Sequence, residues 1–212
     1  ERIDYALSCL PIYEKYYHEI VEEIQGLADG QQCDVRILQA VLFSMYSMPP
    51  SCNCSCFAFT TEQEILLGRN SDFLTEIERL NQNVVYKLTD GVYSFTGNTT
   101  AFIEIEDGVN EHGLAVGLTS AYPNQCKPGF NAGMIVRYLL EKCRNVSEAV
   151  SCLYQLPIAS AQTLTLADTM GAIAVIECNA EQIKIEKTLN SNLVIGLPLG
   201  YKRCFQGDGK IG

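Results

Sequence analysis

Residues 51–72 read Ser51-Cys-Asn-Cys-Ser-Cys-Phe-Ala-Phe-Thr-Thr-Glu-Gln-Glu-Ile-Leu-Leu-Gly-Arg-Asn-Ser-Asp72. Two β-prone runs flank the polar residues at 62–64, which is the pattern of a β-hairpin. A turn centred between residues 62 and 63 pairs residue 54 with residue 71, because antiparallel strands run in opposite directions away from their turn. This register predicts that Arg69 and Asp72 lie beside Cys54. There a cation could stabilise a thiolate, and a carboxylate could orient an amine.

A thiol that attacks a carbonyl group needs a proton acceptor, and histidine is the usual one. Of the two histidines, His18 falls in an amphipathic helical pattern and His112 in a turn pattern, so each is interpreted first as a structural surface residue. A second candidate base is the α-amine that appears when the bond between Asn53 and Cys54 is cut, because its pKa is about 8. Two prolines at positions 49 and 50 favour an exposed loop before this bond.

The hairpin resembles the nucleophile hairpin of N-terminal-nucleophile (Ntn) amide hydrolases and acyltransferases in two motifs, Cys54-Ser-Cys-Phe-Ala-Phe and Gly68-Arg69-Asn70-Ser71-Asp72. The family includes choloylglycine (bile salt) hydrolases, penicillin V acylases and acyl-coenzyme A:6-aminopenicillanic acid acyltransferases. A later segment, Asp107-Gly-Val-Asn-Glu-His-Gly-Leu-Ala-Val-Gly-Leu118, is similar to the Asn-Glu-x-Gly-Leu segment of this family. The likeness extends over roughly residues 50–190, and the helical residues before it resemble the pro-region of the acyltransferase branch.

The resemblance implies a role for each matching residue. Cys54 is the nucleophile, its freed amine is the base, and autoproteolysis between Asn53 and Cys54 exposes that amine. Arg69 tunes the thiolate and Asp72 orients the amine. Asn110 helps to form the oxyanion hole, whose donors stabilise the negative charge that develops during the reaction. The implied substrate is a small linear, non-peptide amide or an acyl thioester, and the reaction needs no metal or organic cofactor.

The resemblance also implies the fold, an α+β four-layer αββα sandwich. It divides the chain into a helical leader, residues 1–53, and an Ntn-hydrolase core, residues 54–212. We expect the sandwich to be incomplete at its C-terminal side, because family members continue past the position of Gly212 with further strands and a second active-site arginine. The Thr-Asn pair that completes the oxyanion hole of the family has no counterpart here, unless Asn190 or Asn192 substitutes for it. Asn53 stands where the family usually has glycine.

Composition narrows the partners of the chain. The 212 residues are 47% hydrophobic, which is enough to bury a core, and the formal net charge is −10. A chain this acidic repels phosphate backbones and anionic lipid surfaces, so neither a nucleic acid nor a membrane is an expected partner. The ten cysteines, several of them in apolar patterns, favour a reduced, cytoplasmic protein, and a secreted protein remains an alternative. The sequence leaves a homo-oligomer open.

Two other functions fit the same residues. A relative that has lost catalysis and only binds a small amide would agree with the missing Thr-Asn pair. A metal or redox module would use Cys52, Cys54 and Cys56, which alternate and therefore face one way on a strand. Their spacing is not the Cys-x-x-Cys of a zinc site, which makes this the weaker alternative.

Apolar periodicity predicts the remaining elements. Helices are expected at residues 5–27, 34–48, 131–142 and 147–156. Strands after the hairpin are expected at residues 84–88, 101–106, 114–119, 163–167, 172–177 and 182–187.

Overall fold

Helices and antiparallel strands make up the chain, which confirms the α+β class. The computed structural model describes residues 1–47, 53–72, 75–89, 91–120, 126–188 and 193–196. Its helices are α1 (Arg2–Tyr16), α2 (His18–Gln31), α3 (Val35–Ser44), α4 (Ala132–Lys142) and α5 (Val146–Leu153). Its strands are β1 (Asn53–Thr60), β2 (Ile65–Asp72), β3 (Gln82–Tyr86), β4 (Phe95–Thr99), β5 (Asp107–Asn110), β6 (Ala115–Ser120), β7 (Gln162–Ala167), β8 (Ile173–Cys178), β9 (Ile183–Thr188) and β10 (Leu193–Gly196). A 3₁₀ helix spans Thr75–Leu80.

The strands form two antiparallel sheets. The smaller sheet has the order β10-β1-β2, and the larger has the order β3-β4-β5-β6-β7-β8-β9. The β1–β2 hairpin has the predicted register, because Cys54 pairs with Ser71. A backbone hydrogen bond of 2.8 Å from the N–H of Thr61 to the carbonyl of Glu64 closes its turn. Since β10 pairs with the other edge of β1, the first strand of the hairpin lies in the middle of the smaller sheet.

Each face of the larger sheet packs against a different layer. Leu164 and Leu166 of β7 join the main hydrophobic core, to which the helices contribute. On the opposite face, Ala167 and Ile173 pack against Ala58 of β1 in the smaller sheet. This division follows from the alternation of side chains along a strand. The described residues therefore form three of the four layers of an αββα sandwich: helices, larger sheet and smaller sheet.

The leader helices are part of the main core. Tyr13 of α1 stacks on Phe43 of α3, with ring centroids 4.1 Å apart, and its ring centroid lies 4.5 Å from that of Phe130. Residues of α1, α2 and α3 belong to the same hydrophobic cluster as α4 and the larger sheet. The boundary at residue 53 stays a prediction. Within the described ranges, every helix falls short of the length and apolarity that a membrane crossing needs.

The helix expected at residues 5–27 is two helices. Tyr17 separates α1 from α2 with φ −151° and ψ 55°. Its hydroxyl donates a hydrogen bond of 2.6 Å to Glu141, and its ring meets Tyr138 edge-on. Tyr17 is itself buried, so the apolar periodicity continues through the break and does not reveal it.

The strand expected at residues 101–106 is wrong. These residues form a turn between β4 and β5, in which the N–H of Glu104 bonds the carbonyl of Ala101 at 3.1 Å and Phe102 has φ 56°. Ile103 and Ile105 have the apolar alternation of a strand in the sequence, although Glu104 and Glu106 are buried as well. However, the N–H of Ile105 bonds the carbonyl of Gly133 in α4, so the alternation comes from a loop that enters the core.

Other helix ends also differ from the expected ones. The last helix begins at Val146 and its cap is Asn145, whose side-chain oxygen accepts from the N–H of Glu148 at 2.9 Å. The helix expected at 34–48 ends at Ser44 as α3, and residue 48 lies outside the described residues.

A buried ion-pair network joins the leader to α4. Arg137 donates to Glu23 of α2 at 2.9 Å and to Glu141 at 2.7 Å. Burial alone would lower the pKa of Arg137, but the neighbouring Tyr17, Glu23 and Glu141 outweigh burial and raise it. The side chain is 1% exposed and stays charged.

Replacing Arg137 should show that this buried network contributes more to the free energy of unfolding than a surface ion pair does. The change Arg137→Met leaves two carboxylates without their cation, and we expect the free energy of unfolding to fall by about 3–5 kcal/mol in urea titrations. The control Lys142→Met removes a more exposed ion pair with Glu19 and should cost less than about 1 kcal/mol. Equal losses in the two variants would contradict this assignment.

Candidate active site

Cys54 and Arg69 meet on the face of the hairpin that packs against the larger sheet. Arg69 Nη2 donates a hydrogen bond of 3.3 Å to Cys54 Sγ. Cys54 is 5% exposed and the Arg69 side chain is 3% exposed, so both are buried. A charged donor interacts more strongly with a thiolate than with a neutral thiol. The buried sulfur of Cys54 therefore contacts the charged guanidinium of Arg69.

Three oxygen acceptors hold Arg69 in place. Nε donates to the carbonyl oxygen of Leu118 at 2.6 Å, and Nη1 donates to Glu106 at 2.9 Å and to Asp107 at 3.2 Å. Burial alone would lower the pKa of Arg69, but the electrostatic interactions of its guanidinium with Cys54, Glu106 and Asp107 outweigh burial and raise it. Arg69 is therefore a fixed, permanently charged donor between the two sheets.

The carboxylate of Glu106 accepts hydrogen bonds from four side chains. Arg69 donates at 2.9 Å, Tyr46 at 3.0 Å, Thr100 at 2.6 Å and Ser71 at 3.4 Å. Burial, with the charge of Glu106 adding to it, raises the pKa of Tyr46, so the phenol keeps its proton and donates. Tyr46 follows α3, and the leader thus reaches the carboxylate that positions Arg69.

Sequence reasoning missed Glu106, Asp107 and Tyr46. The first two directly precede the Gly-Val-Asn motif, and their charge next to that motif was the signal available for them. The strand expected at 101–106 predicted only which face of a sheet the Glu106 side chain would take. It therefore gave no indication that Glu106 contacts Arg69. No sequence pattern around Tyr46 indicates that its side chain contacts Glu106.

Cys56 shares the inner face with Cys54 but has a different environment. Burial raises the pKa of Cys56 to about 11. Its sulfur packs where Gly117 of β6 leaves room, because a Cβ on Gly117 would lie 2.7 Å from Cys56 Sγ. That glycine lets the sheets approach closely beside Arg69, whose Cδ lies 3.8 Å from the same position. Cys56 is therefore a protonated packing residue.

Asp72 lies across the hairpin from the residue before Cys54. It pairs with Asn53 in the ladder, is exposed, and accepts a hydrogen bond of 2.6 Å from Asn70. Its side chain is on the opposite face from Cys54 Sγ, because Ser71 is the residue paired with Cys54. The side chain of Asp72 is thus directed away from the sulfur of Cys54. Its role stays a prediction.

The side chain of Asn110 does not lie beside Cys54. Its side-chain nitrogen donates to the carbonyls of Leu140 and Cys143 at 2.9 Å and 2.7 Å, at the end of α4. Asn110 shares a face with Gly108, where a Cβ would touch Leu140, and this face is the helix side of the larger sheet. Its side-chain oxygen accepts from the N–H of Leu114 at 3.0 Å. These bonds hold the β5–β6 turn against α4, and the oxyanion role stays a prediction.

The two histidines have contacts of their own. His18 is exposed and its Nδ1 lies 2.6 Å from a carboxylate oxygen of Glu14. The ring of His112 meets that of Tyr93 edge-on, with centroids 4.3 Å apart. The structure gives neither histidine a contact with Cys54 in the ranges it describes.

Several predicted features lie outside the described residues. They are the two prolines at 49 and 50, Cys52 of the cysteine triplet, and Asn190 and Asn192. Among the residues that are described, no group of three or more His, Cys, Asp or Glu side chains is placed to hold a metal ion.

A cavity of about 660 Å³ lies at the other end of the hairpin from Cys54. It is lined by the hairpin turn, the β5–β6 turn at Gly113 and the β7–β8 turn around Thr169. Thr60, at its edge, is six residues from Cys54 along β1, which corresponds to about 20 Å in a strand. This cavity is therefore separate from the cysteine and arginine pair.

The sequence matches the family model of acyl-coenzyme A:6-aminopenicillanic acid acyl-transferase over residues 59–195, which is more than half of the chain. No curated protein matches the sequence.

Three solved structures resemble the chain, and the first of them shows the fold. The chain is similar to an N-acylethanolamine-hydrolyzing acid amidase ortholog from Caenorhabditis elegans, at 17% identity over 68% of this chain and 69% of that one, with a TM-score of 0.56. It is also similar to penicillin V acylase from Agrobacterium tumefaciens, at 18% identity over 69% of this chain and 53% of that one, with a TM-score of 0.47. A variant of conjugated bile acid hydrolase from Clostridium perfringens matches at 17% identity, 66% and 52% coverage and a TM-score of 0.44.

The chain spans about half the length of the penicillin V acylase and bile acid hydrolase structures. Together with the mixed helices and antiparallel sheets described above, the likeness to the amidase ortholog confirms the expected Ntn-hydrolase fold.

Glu104 is a buried carboxyl group close to the hydrogen-bond network of Arg69 and Glu106. One oxygen accepts a hydrogen bond of 2.6 Å from Asn131, and the other is buried without a hydrogen-bond partner among the described residues. Burial raises the pKa of Glu104 well above its ordinary value. The folded protein therefore holds a proton on Glu104 under conditions where the unfolded chain has lost it.

The pH dependence of stability should report this proton. The contribution of Glu104 is fully present below the pKa of the unfolded chain and is lost as pH rises toward the higher folded pKa, by up to about 1.4 kcal/mol per pH unit. Glu104→Gln removes this loss. The free energy of unfolding of the variant should therefore increase relative to that of the wild type as the pH rises from 5 to 8.

Asp34→Asn is the control, because Arg36 lowers the pKa of Asp34 to about 2 and this carboxylate is ionised in both states above pH 5. Its stability difference from the wild type should stay constant over the same range. Urea titrations at each pH measure both variants, and a Glu104→Gln profile parallel to the wild type would show that Glu104 is ionised in the fold.

Proposed function

Because the chain belongs to the acyl-coenzyme A:6-aminopenicillanic acid acyl-transferase family, we propose that it is a cysteine-nucleophile enzyme. It hydrolyses a small linear, non-peptide amide, or transfers the acyl group of an amide or acyl thioester. The observation that carries this proposal is the 3.3 Å hydrogen bond from Arg69 Nη2 to Cys54 Sγ. The substrate class comes from the family, whose name denotes transfer of an acyl group from a coenzyme A thioester to an amine.

Cys54 Sγ is the proposed nucleophile. As a thiolate it attacks the carbonyl carbon of the substrate, the amine or thiol leaving group departs with a proton, and an acyl thioester of Cys54 remains. Water resolves this acyl-enzyme into an acid, and an amine resolves it into a new amide. Arg69 favours the thiolate before attack, and its bonds to Glu106, Asp107 and Leu118 keep it in place throughout.

Cleavage before Cys54 is the proposed activation step. The sulfur attacks the carbonyl carbon of Asn53, the peptide bond breaks, and the backbone nitrogen of Cys54 becomes an amine while the leader is held as a thioester. Water then hydrolyses the thioester and releases the carboxyl group of Asn53. The amine has a reference pKa of about 8, which suits it to accept the proton of the thiol in later cycles.

Asp72 and Asn110 have supporting roles in this proposal. The pairing of Asp72 with Asn53 puts an exposed carboxylate across from the bond to be cut, which supports Asp72 as the group that orients the amine. Asn110 can donate to an oxyanion only if its amide leaves the carbonyls of Leu140 and Cys143. The contacts of Asn110 favour a role in fixing the β5–β6 turn.

Mass measurement of the purified full chain under denaturing conditions tests the activation step. We expect a product whose first residue is Cys54, and we expect Cys54→Ser to remain uncut because a hydroxyl is a far weaker nucleophile than a thiolate. The matched control Cys56→Ser changes the next thiol on the same strand face, which is protonated and only packs, and it should be cut like the wild type.

Two results would contradict the proposal. In the first, the wild-type chain stays intact and its Cys54 does not react with thioester or thiol-directed reagents. This result would favour a protein that only binds an amide. Equal cleavage of the wild type and Cys54→Ser would assign the cut to another protease.

Arg69→Lys tests the positioning of the cation. Lysine keeps the charge but cannot reach the sulfur, Glu106 and the Leu118 carbonyl at once, so we expect processing to slow by roughly 30-fold, the equivalent of one charged hydrogen bond of about 2 kcal/mol. Arg79→Lys, on the exposed 3₁₀ helix, is the control and should process at the wild-type rate. Equal rates for the two variants would show that only the charge of Arg69 matters. Quantifying cut and uncut chain over time gives the rates.

A further inference from the structure

Tyr46 has an unusual backbone conformation for a bulky residue. Its φ of 55° lies in the left-handed region, which residues other than glycine rarely adopt. The hydroxyl of Ser160, a buried residue, donates a hydrogen bond of 3.1 Å to the carbonyl oxygen of Tyr46. The tyrosine ring packs on Gly133 of α4, where an added Cβ would lie 3.0 Å from the ring. The core therefore holds Tyr46 in a conformation that is costly for the isolated chain.

This conformation brings the phenol of Tyr46 to Glu106. Tyr46 Oη donates a hydrogen bond of 3.0 Å to Glu106 Oε1, and Arg69 Nη1 donates one of 2.9 Å to Glu106 Oε2. The same guanidinium donates from Nη2 to Cys54 Sγ at 3.3 Å. Three successive hydrogen bonds therefore connect a side chain of the leader to the sulfur of Cys54.

The phenol affects how strongly Glu106 attracts Arg69. A donor on one carboxylate oxygen offsets part of the negative charge, and without this donor more of the charge acts on the guanidinium. Arg69 is then drawn toward Glu106 and interacts less with the sulfur. Thr100 already donates to the same oxygen as the phenol, at 2.6 Å, so it has no further proton to offer in place of the phenol.

We propose that Tyr46 is a positioning residue supplied by the leader, which acts through Glu106 to keep the Arg69 guanidinium on Cys54 Sγ and so favours the thiolate. This role rests on the proposed function, in which Cys54 is the nucleophile. Tyr46 precedes the bond that is cut in that proposal, so the phenol belongs to the leader fragment after cleavage. The site of the cut protein then still depends on the leader.

The thiolate titration of Cys54 tests this role, and it can be measured whether or not the chain is cut. The ultraviolet absorbance of the thiolate is followed against pH, and the titration of the same protein with Cys54→Ser is subtracted. Tyr46→Phe removes only the phenol oxygen. We expect its curve to move to higher pH, so that the thiolate fraction at neutral pH falls roughly fivefold, which is the effect of losing about one net hydrogen bond. Glu104, Asp107 and Cys56, the other titratable groups around the pair, are the same in both proteins.

Tyr17→Phe is the matched control. It removes the phenol oxygen of another leader tyrosine, which is buried and donates at 2.6 Å to Glu141, a core carboxylate that does not bond Arg69. Urea titrations should show a loss of stability in this variant, but its thiolate fraction should equal that of the wild type.

Ser160→Ala is a second test of the same role. It leaves the phenol in place and removes the hydrogen bond that holds the backbone of Tyr46. We expect the thiolate fraction of Cys54 to fall in this variant too, by a smaller factor than in Tyr46→Phe. If Tyr46→Phe does not fold, this variant decides, and a wild-type thiolate fraction in it overturns the proposal.

Two further results would overturn the proposal. One is a folded Tyr46→Phe whose Cys54 titrates like that of the wild type. The other is an equal change in Tyr46→Phe and Tyr17→Phe, because the effect would then come from leader packing in general. Failure of the proposed function is a different result: a chain that is never cut before Cys54, but whose thiolate depends on Tyr46, keeps the positioning role and loses the activation step.

Discussion

A buried positive charge governs the relation between the two sheets. Arg69 belongs to the smaller sheet, but its oxygen acceptors are Glu106, Asp107 and the carbonyl of Leu118, which lie in or beside the larger sheet. A guanidinium out of water must keep such partners, because losing one leaves an uncompensated buried charge. These bonds therefore constrain the relative position of the two sheets, and the same guanidinium donates to Cys54.

Local rules were enough to place Cys54 and Arg69 together, because the register of a hairpin follows from its turn and the pairing of its strands. The partners of Arg69 could not be found in this way. Glu106 lies in a buried loop in which Ile103 and Ile105 have the same apolar spacing as alternate residues of a strand. Asn110 shows a related limit, because its spacing in the motif does not say which face of β5 its side chain takes.

The leader contributes to both the core and the candidate site. Tyr13 packs between Phe43 and Phe130. In α4, Glu141 accepts a hydrogen bond from Tyr17, and Arg137 donates one to Glu23. Tyr46 extends this contact to Glu106. An interaction of this size and burial does not depend on the peptide bond that joins the leader to β1. The boundary at residue 53 stays a prediction, and buried residues of α1, α2 and α3 belong to the main hydrophobic cluster.

The middle position of β1 in its sheet affects the behaviour of a chain end. Newly formed termini usually fray, because the last residues have few bonds to hold them. Here the ladder with β2 begins at Asn53, and from Cys56 onward β10 holds the other edge as well. An amine created at Cys54 would begin a strand anchored on both sides within two residues. Thermal motion of the backbone at such an end is damped, so the amine would keep its position in the sheet from one turnover to the next.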